Sequence, residues 1–148
     1  MSRNGRKWLC AVLIGVNLAV IWGNSLLPGE VSSAFSQWVR GLAQWLFPGS
    51  FGGSGGHGLL RKLGHFTEFA CLGMLLWWMG LLCRERPRFF PPLLLGAIAA
   101  GLDETIQRFV PGRGPSLWDV GIDVCGVLLG ILLLTAGYYI KKAHFWRK

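Results

Sequence analysis

The sequence has few charged residues: Asp, Glu, Lys and Arg make up 15% of its 148 residues, and only seven of these are acidic. A soluble domain carries about 25% of such residues, so the low value excludes an ordinary soluble protein. Apolar residues make up 52% of the chain and gather in stretches near the length that crosses a bilayer. We therefore expect an all-α integral membrane protein, with a single membrane domain over residues 1–148.

The sequence also lacks the patterns of several common site types. Its four cysteines, Cys10, Cys71, Cys83 and Cys125, have no CxxC or paired spacing, which argues against a disulfide framework or a zinc site. HExxH and DxD spacings are absent, and no Ser or Cys is placed as a nucleophile. These patterns predict no metal and no other cofactor.

Four apolar segments predict a bundle of four membrane-spanning helices, at residues 8–27, 62–83, 91–107 and 119–140. The first is too long for the core of a signal peptide, and no small-x-small cleavage site follows it. Of the Lys and Arg residues outside the membrane, ten lie on the side of both termini and five on the other side. This excess predicts that both termini are cytoplasmic. The net charge of +8 then reflects topology, and we expect no nucleic-acid partner.

Two segments are expected between the first and second spans. Residues 31–47 carry apolar side chains at helical spacing with polar ones between them. This pattern predicts an amphipathic helix in the outer interface, with a short re-entrant or core-packing helix as the alternative. Residues 48–58 are rich in glycine and predict a flexible linker.

Small residues lie one helical turn apart in the third and fourth spans, at Gly96 and Ala100 and at Gly126 and Gly130. Such faces let membrane helices approach closely. We expect them to serve packing within one chain, and a homo-oligomer formed through these faces is the alternative.

Five of the seven acidic residues lie in or at the ends of the apolar segments, where an unpaired carboxylate is strongly unfavourable. The predicted topology brings them to one depth, in the outer half of the membrane. Polar neighbours within each span are three or four residues apart and therefore share a face. The predicted ligand-binding residues are Lys62, His65, Glu68, Asp103, Glu104, Gln107, Arg113, Asp119 and Asp123.

This polar layer is compatible with three roles. In the first, the charges only neutralise one another and lock the helices together. In the second, they bind a polar headgroup or a peptide at the outer surface. In the third, His65, Glu68, Asp103 and Glu104 are catalytic candidates for acid–base or metal-assisted chemistry. A proton or solute pathway is disfavoured, because the inner halves of the spans are apolar.

Three ordered motifs carry a resemblance to a known family. They are Lys62-x-x-His65-x-x-Glu68, Asp103-Glu104-x-x-Gln107 followed by Pro111-Gly112-Arg113, and Asp119-x-x-x-Asp123-x-x-Gly126. Over about residues 62–134 the chain resembles the VanZ-like family, small bacterial membrane proteins named for a teicoplanin-resistance protein. Many members carry Asn at the position of Asp123, so the cluster here is more negative.

The resemblance implies a protein of the bacterial inner membrane and an association with lowered sensitivity to glycopeptide antibiotics of the teicoplanin type. With the outward-facing polar layer, it favours binding or modification of a membrane lipid or lipid-linked wall precursor in the cell envelope. Arg113 and Lys62 would then meet the anionic headgroups. The alternative is a membrane-embedded hydrolase or transferase, with or without a metal, that acts on a lipid-linked substrate.

Overall fold

The computed structural model describes residues 2–28, 31, 45, 56–114 and 116–145, and the described chain contains four long α-helices and no strand. The helices are Arg3–Leu26 (α1), Gly56–Arg84 (α2), Phe90–Gln107 (α3) and Leu117–Phe145 (α4). The all-α prediction is therefore confirmed. The predicted amphipathic helix at residues 31–47 lies almost wholly outside the described residues.

Local sequence signals set several of the helix ends. The Ser2 side chain caps α1 by accepting a hydrogen bond from the Gly5 backbone N–H at 3.1 Å. After the end of α1, Leu27 has an extended backbone, because a proline disfavours the helical conformation in the residue before it and residue 28 is Pro. Two prolines lie in the first turn of α3, where their missing N–H groups are not needed.

Helix α2 begins earlier than the sequence predicts. The glycine-rich linker expected at residues 48–58 ends inside it, since Gly56, His57 and Gly58 form its first residues. Adding a residue to an existing helix gains a backbone hydrogen bond without a new nucleation step, which offsets the unfavourable helix propensity of glycine. Residues 48–55 lie outside the described part of the chain.

The two middle helices form the centre of the bundle, because α1 and α4 each pack against both α2 and α3. The start of α1 meets the end of α2, where the Arg3 guanidinium donates to the Leu82 carbonyl at 3.2 Å and pairs with Glu85. The buried core is apolar and comprises Ile21, Phe69, Leu72, Trp77, Ala99, Ala100, Val127 and Ile131.

Helices α2 and α4 share the largest helix–helix interface, and glycines make it close. A Cβ atom at Gly126 would meet the backbone of Phe66, and one at Gly130 would meet the backbone of Ala70. The expected use of this small-residue face within one chain is thus confirmed. A homo-oligomer stays a prediction.

Three of the four helices are long and apolar enough to cross a membrane, at Arg3–Leu26, Arg61–Arg84 and Leu117–His144. Helix α3 has 18 residues, about 27 Å of helix. Asp103, Glu104 and Gln107 in its last two turns lower its mean hydropathy, and it is not among the three. Large apolar side chains are exposed on the outer faces of the bundle, as expected of a surface that contacts lipid. Length and composition thus support three of the four predicted spans.

Candidate functional site

Polar side chains from several helices line one pocket at the end of the bundle where α2 and α4 begin and α3 ends. We call it the polar pocket, and its lining residues are Arg61, Lys62, His65, Gln107, Asp119, Ile122 and Asp123. The enclosed cavity is small, about 10 Å³, which is roughly the space that one water molecule needs. Five of the nine predicted site residues line this pocket, and Asp103 contacts two of them.

The mouth of the polar pocket holds two cations and one carboxylate. The Lys62 Nζ atom lies 3.3 Å from Asp119 Oδ1, and the Arg61 Nη2 atom lies 3.7 Å from Asp119 Oδ2. Both basic side chains are partly exposed, so solvent weakens these pairings. Two positive charges against one negative charge leave the mouth net positive.

The inner end of the pocket contains buried carboxylates. Asp103 is fully buried, and its Oδ2 atom accepts a hydrogen bond from Gln107 Nε2 at 2.7 Å and lies 3.7 Å from His65 Nδ1. Asp123 on α4 is also buried. His65, Asp103 and Asp123 each offer one ligand atom, and these atoms lie within 4.8 Å of one another. This group is the one place in the described residues where three metal-binding side chains converge.

Two of the predicted site acids face away from the pocket and join elements of the fold. The Glu68 carboxylate accepts a hydrogen bond from Asn24 Nδ2 of α1 at 2.6 Å. The Glu104 carboxylate accepts a hydrogen bond from the Ser116 backbone N–H, immediately before α4. Their positions therefore fix the end of α1 and the start of α4.

Arg113 is held by the turn that connects α3 and α4. The Arg113 N–H donates to the Val110 carbonyl at 3.2 Å, and Gly112 has a φ angle of 76°, which favours glycine at this turn position. The buried guanidinium donates from Nε to the Leu27 carbonyl at 3.0 Å and from Nη2 to the Asn24 carbonyl at 2.6 Å. Burial, and then the nearby Arg61 charge, lower the pKa of Arg113.

These contacts give Arg113 a clamping position. Its Nε and Nη2 donors bind backbone carbonyls at the end of α1, while its buried Nη1 atom has no hydrogen-bond partner among the described residues, and the predicted contact with a headgroup stays a prediction. The sequence places it in the loop beside the acids but says nothing about the carbonyls that it meets.

We call the nine predicted site residues, together with the polar side chains of α1 that contact them, the polar cluster. Two of these α1 residues make side-chain contacts that the sequence prediction missed. Asn24 contacts Glu68, and the fully buried Ser25 lies 3.3 Å from Gln107 Nε2 through its Oγ atom. A third polar residue, Asn17, donates to the Glu68 carbonyl at 3.4 Å. The sequence does contain a signal for the two asparagines. Asn17 and Asn24 lie seven residues apart in an apolar span, so they share one face of the helix. Polar residues within a span turn away from lipid, which directs this face toward the bundle interior.

Comparison with known proteins gives one match to a family. The model of the family described as VanZ/LLP1 matches residues 8–139, which takes in most of α1, all of α2 and α3, and most of α4. No curated protein and no solved structure gives a significant match.

Proposed function

The chain belongs to the VanZ/LLP1 family, and from that membership we propose that it binds or modifies an anionic, lipid-linked molecule of the bacterial cell envelope. The ligand is a membrane lipid or a lipid-linked wall precursor in the outer leaflet. The observation that carries the proposal is the polar pocket, with a net positive mouth formed by Arg61, Lys62 and Asp119. Phosphate groups bind strongly to such paired cations.

An apolar groove next to the polar cluster supports a ligand with an acyl chain. The groove has a volume of about 200 Å³, and its lining residues are Leu18, Trp22, Leu72, Leu76, Leu95, Ile98, Ala99 and Leu102. Ala99 lies one helical turn from the buried Asp103, about 6 Å along α3, whereas Leu72 lies ten residues after Lys62 of the mouth, about 15 Å along α2. A lipid with its head at the mouth and its chain in the groove would span about this second distance.

The proposal includes an orientation in the bacterial inner membrane. The excess of Lys and Arg near the two termini and in the loop after α2 favours a cytoplasmic location for these segments. The polar pocket, at the opposite end of α2, then opens toward the outer leaflet. This location suits lowered sensitivity to lipophilic glycopeptides of the teicoplanin type, because these antibiotics meet the cell at that surface.

The binding proposal is tested with purified protein in lipid nanodiscs. The probes are phosphatidylglycerol and a polyprenyl pyrophosphate, compared with a zwitterionic lipid. The double variant Arg61→Gln with Lys62→Gln removes the positive mouth, and we expect affinity for the phosphate-bearing probes to fall roughly 10-fold or more. The matched control, Arg86→Gln with Arg88→Gln, removes two charges at the other end of the bundle. Equal binding by both double variants and the unaltered protein would contradict the proposal.

One observation favours a second function, in which the same site hydrolyses or transfers the bound group. His65 lines the pocket, and its Nδ1 atom lies 3.7 Å from Oδ2 of the buried Asp103. A shift of less than about 1 Å would bring the two atoms within hydrogen-bond distance, and the carboxylate would then orient the imidazole for acid–base work. Of the four catalytic candidates, this geometry favours His65 and Asp103, whereas Glu68 and Glu104 contact Asn24 and Ser116. Release of phosphate from the polyprenyl pyrophosphate by the unaltered protein, but not by His65→Gln, would support catalysis. A probe that stays intact would contradict catalysis and support binding without turnover.

A further inference from the structure

We infer that His65, Asp103 and Asp123 form a binding site for one divalent transition-metal ion. The three residues come from α2, α3 and α4, and one ligand atom from each lies within 4.8 Å of the others. Tetrahedral ligands at the usual bond lengths of about 2.0–2.2 Å stand roughly 3.3–3.6 Å apart. The group therefore needs to contract by up to about 1.5 Å.

Each member of the group has one buried side-chain atom without a hydrogen-bond partner among the described residues. Asp103 Oδ1, Asp123 Oδ1 and His65 Nδ1 are buried and have no hydrogen-bond partner among the described residues. Asp103 and Asp123 are only 0% and 2% exposed, respectively. Buried carboxylate oxygens are strongly unfavourable without a partner, so a cation at this point would stabilise the folded chain.

The nearby cations do not pair with the two buried carboxylates of the group. Lys62 and Arg61 pair with Asp119 at the mouth of the pocket. Arg113 donates from Nε and Nη2 to the carbonyls of Leu27 and Asn24, and its buried Nη1 atom has no hydrogen-bond partner among the described residues. Neither of the two buried carboxylates has a Lys or Arg nitrogen within 4.0 Å in the part of the chain that the structure describes.

The donor chemistry fits a transition metal. One imidazole nitrogen with two carboxylate oxygens suits zinc or manganese, and three protein ligands leave a coordination position open. Gln107 donates to Asp103 Oδ2, which leaves Oδ1 free, and such hydrogen bonds orient metal-binding carboxylates. The open position would face the polar pocket, since His65 and Asp123 line it.

This inference reverses the expectation of no metal. Motifs such as HExxH place two ligands on one helix, so spacing along the chain reveals them. Here each ligand comes from a different helix, and only the packing of α2, α3 and α4 brings them together. The inference goes beyond headgroup binding and does not rest on it.

Metal counting on the full-length protein tests the inference. Detergent-purified protein, stripped with a chelator and freed of its affinity tag, is dialysed against Zn²⁺, Mn²⁺ or Co²⁺, and bound metal is measured by mass spectrometry. We expect about one ion per chain, with ligand-field absorption bands for the Co²⁺ form. The variants Asp103→Asn, Asp123→Asn and His65→Gln should each weaken binding roughly 100-fold or more.

The matched control is Asp119→Asn, which removes a carboxylate of the same pocket outside the proposed ligand set. It should keep the bound ion and the Co²⁺ spectrum. Unaltered protein that binds none of the three metals, or ligand variants that bind them as it does, would overturn the inference. The Asn substitutions preserve side-chain volume. If one variant fails to fold, metal binding by the unaltered protein and by the remaining variants still tests the proposed site. Loss of metal without loss of lipid binding would separate this site from the proposed headgroup site.

Discussion

Arg113 connects the loop after α3 to the end of α1. The last four carbonyls of a helix have no partner within that helix, and the Arg113 guanidinium donates to the carbonyls of Asn24 and Leu27 at this end. The planar fork of an arginine reaches both at once, which a lysine ammonium on a single flexible stem does less well. Arg113 therefore fixes where α1 ends relative to the polar cluster.

Replacing Arg113 with Met, which keeps an unbranched apolar stem but removes the guanidinium and its donors, should destabilise the protein. We expect the free energy of unfolding to fall by about 1–3 kcal/mol, because two part-buried carbonyls lose a charged donor and the Asn24 carbonyl keeps only the Leu27 N–H. Arg113→Lys should lie between Arg113→Met and the unaltered protein. Denaturation in mixed micelles measures the change, and Arg108→Met, at an exposed position of the same loop, is the control. Equal stability of the two Met variants would show that the clamp contributes nothing.

The depth of the polar residues was predictable, but the direction of each side chain was not. Helical rise and spacing place His65, Asp103 and Asp123 at a common level, and the structure brings them together. Whether an acid faces the pocket depends on what packs beside it. Glu68 turns toward Asn24 of α1 and Glu104 toward the chain before α4, and both partners are set by tertiary contacts that no spacing encodes.

At the level of elements, the seam between α2 and α4 positions two of the three proposed metal ligands. His65 lies one residue before Phe66, and Asp123 lies three residues before Gly126. Gly126 and Gly130 lie against the backbone of α2, so the distance between the helices depends on their missing side chains. A substitution that moves α2 and α4 apart should therefore also change the distances between side chains in the polar pocket.

A methyl group in the seam should force the two helices apart. We expect Gly130→Ala to lower the free energy of unfolding by about 1–3 kcal/mol, since the added Cβ meets backbone atoms that cannot rotate away. Gly121→Ala and Gly137→Ala lie on the same helix with no atom within 4 Å of the added Cβ. They should raise stability by about 0.5–1 kcal/mol through helix propensity. A neutral Gly130→Ala would contradict the close packing of α2 against α4.

The helices themselves follow from the apolar runs, while their limits depend on context. The predicted span at 91–107 corresponds closely to α3, because prolines mark its start and polar residues its end. The predicted span at 62–83 begins six residues later than α2, because glycine alone does not stop a helix that has already formed. Three helices have the length and apolarity of a span, and the polar end that makes α3 less apolar also delivers Asp103 to the pocket.

The whole molecule is polarised along the bundle axis. One end carries the polar pocket with its buried acids. The other carries the basic loop after α2 and the pairing of Arg3 with Glu85. Basic residues flanking apolar segments stay in the cytoplasm more often than they cross. The expected orientation therefore puts the pocket outside and both termini inside, and the envelope function proposed above requires this orientation.

Cysteine labelling in intact cells tests that orientation. In a chain whose four native cysteines are replaced by Ser, Gly114→Cys reports the pocket end, because an added side chain there meets no atom within 4 Å. Arg86→Cys reports the opposite end at an exposed position. A membrane-impermeant maleimide should label Gly114→Cys in intact spheroplasts and label Arg86→Cys only after permeabilisation. The reverse pattern would turn the pocket toward the cytoplasm and exclude direct action on outer-leaflet precursors, while leaving the fold and the proposed metal site unchanged.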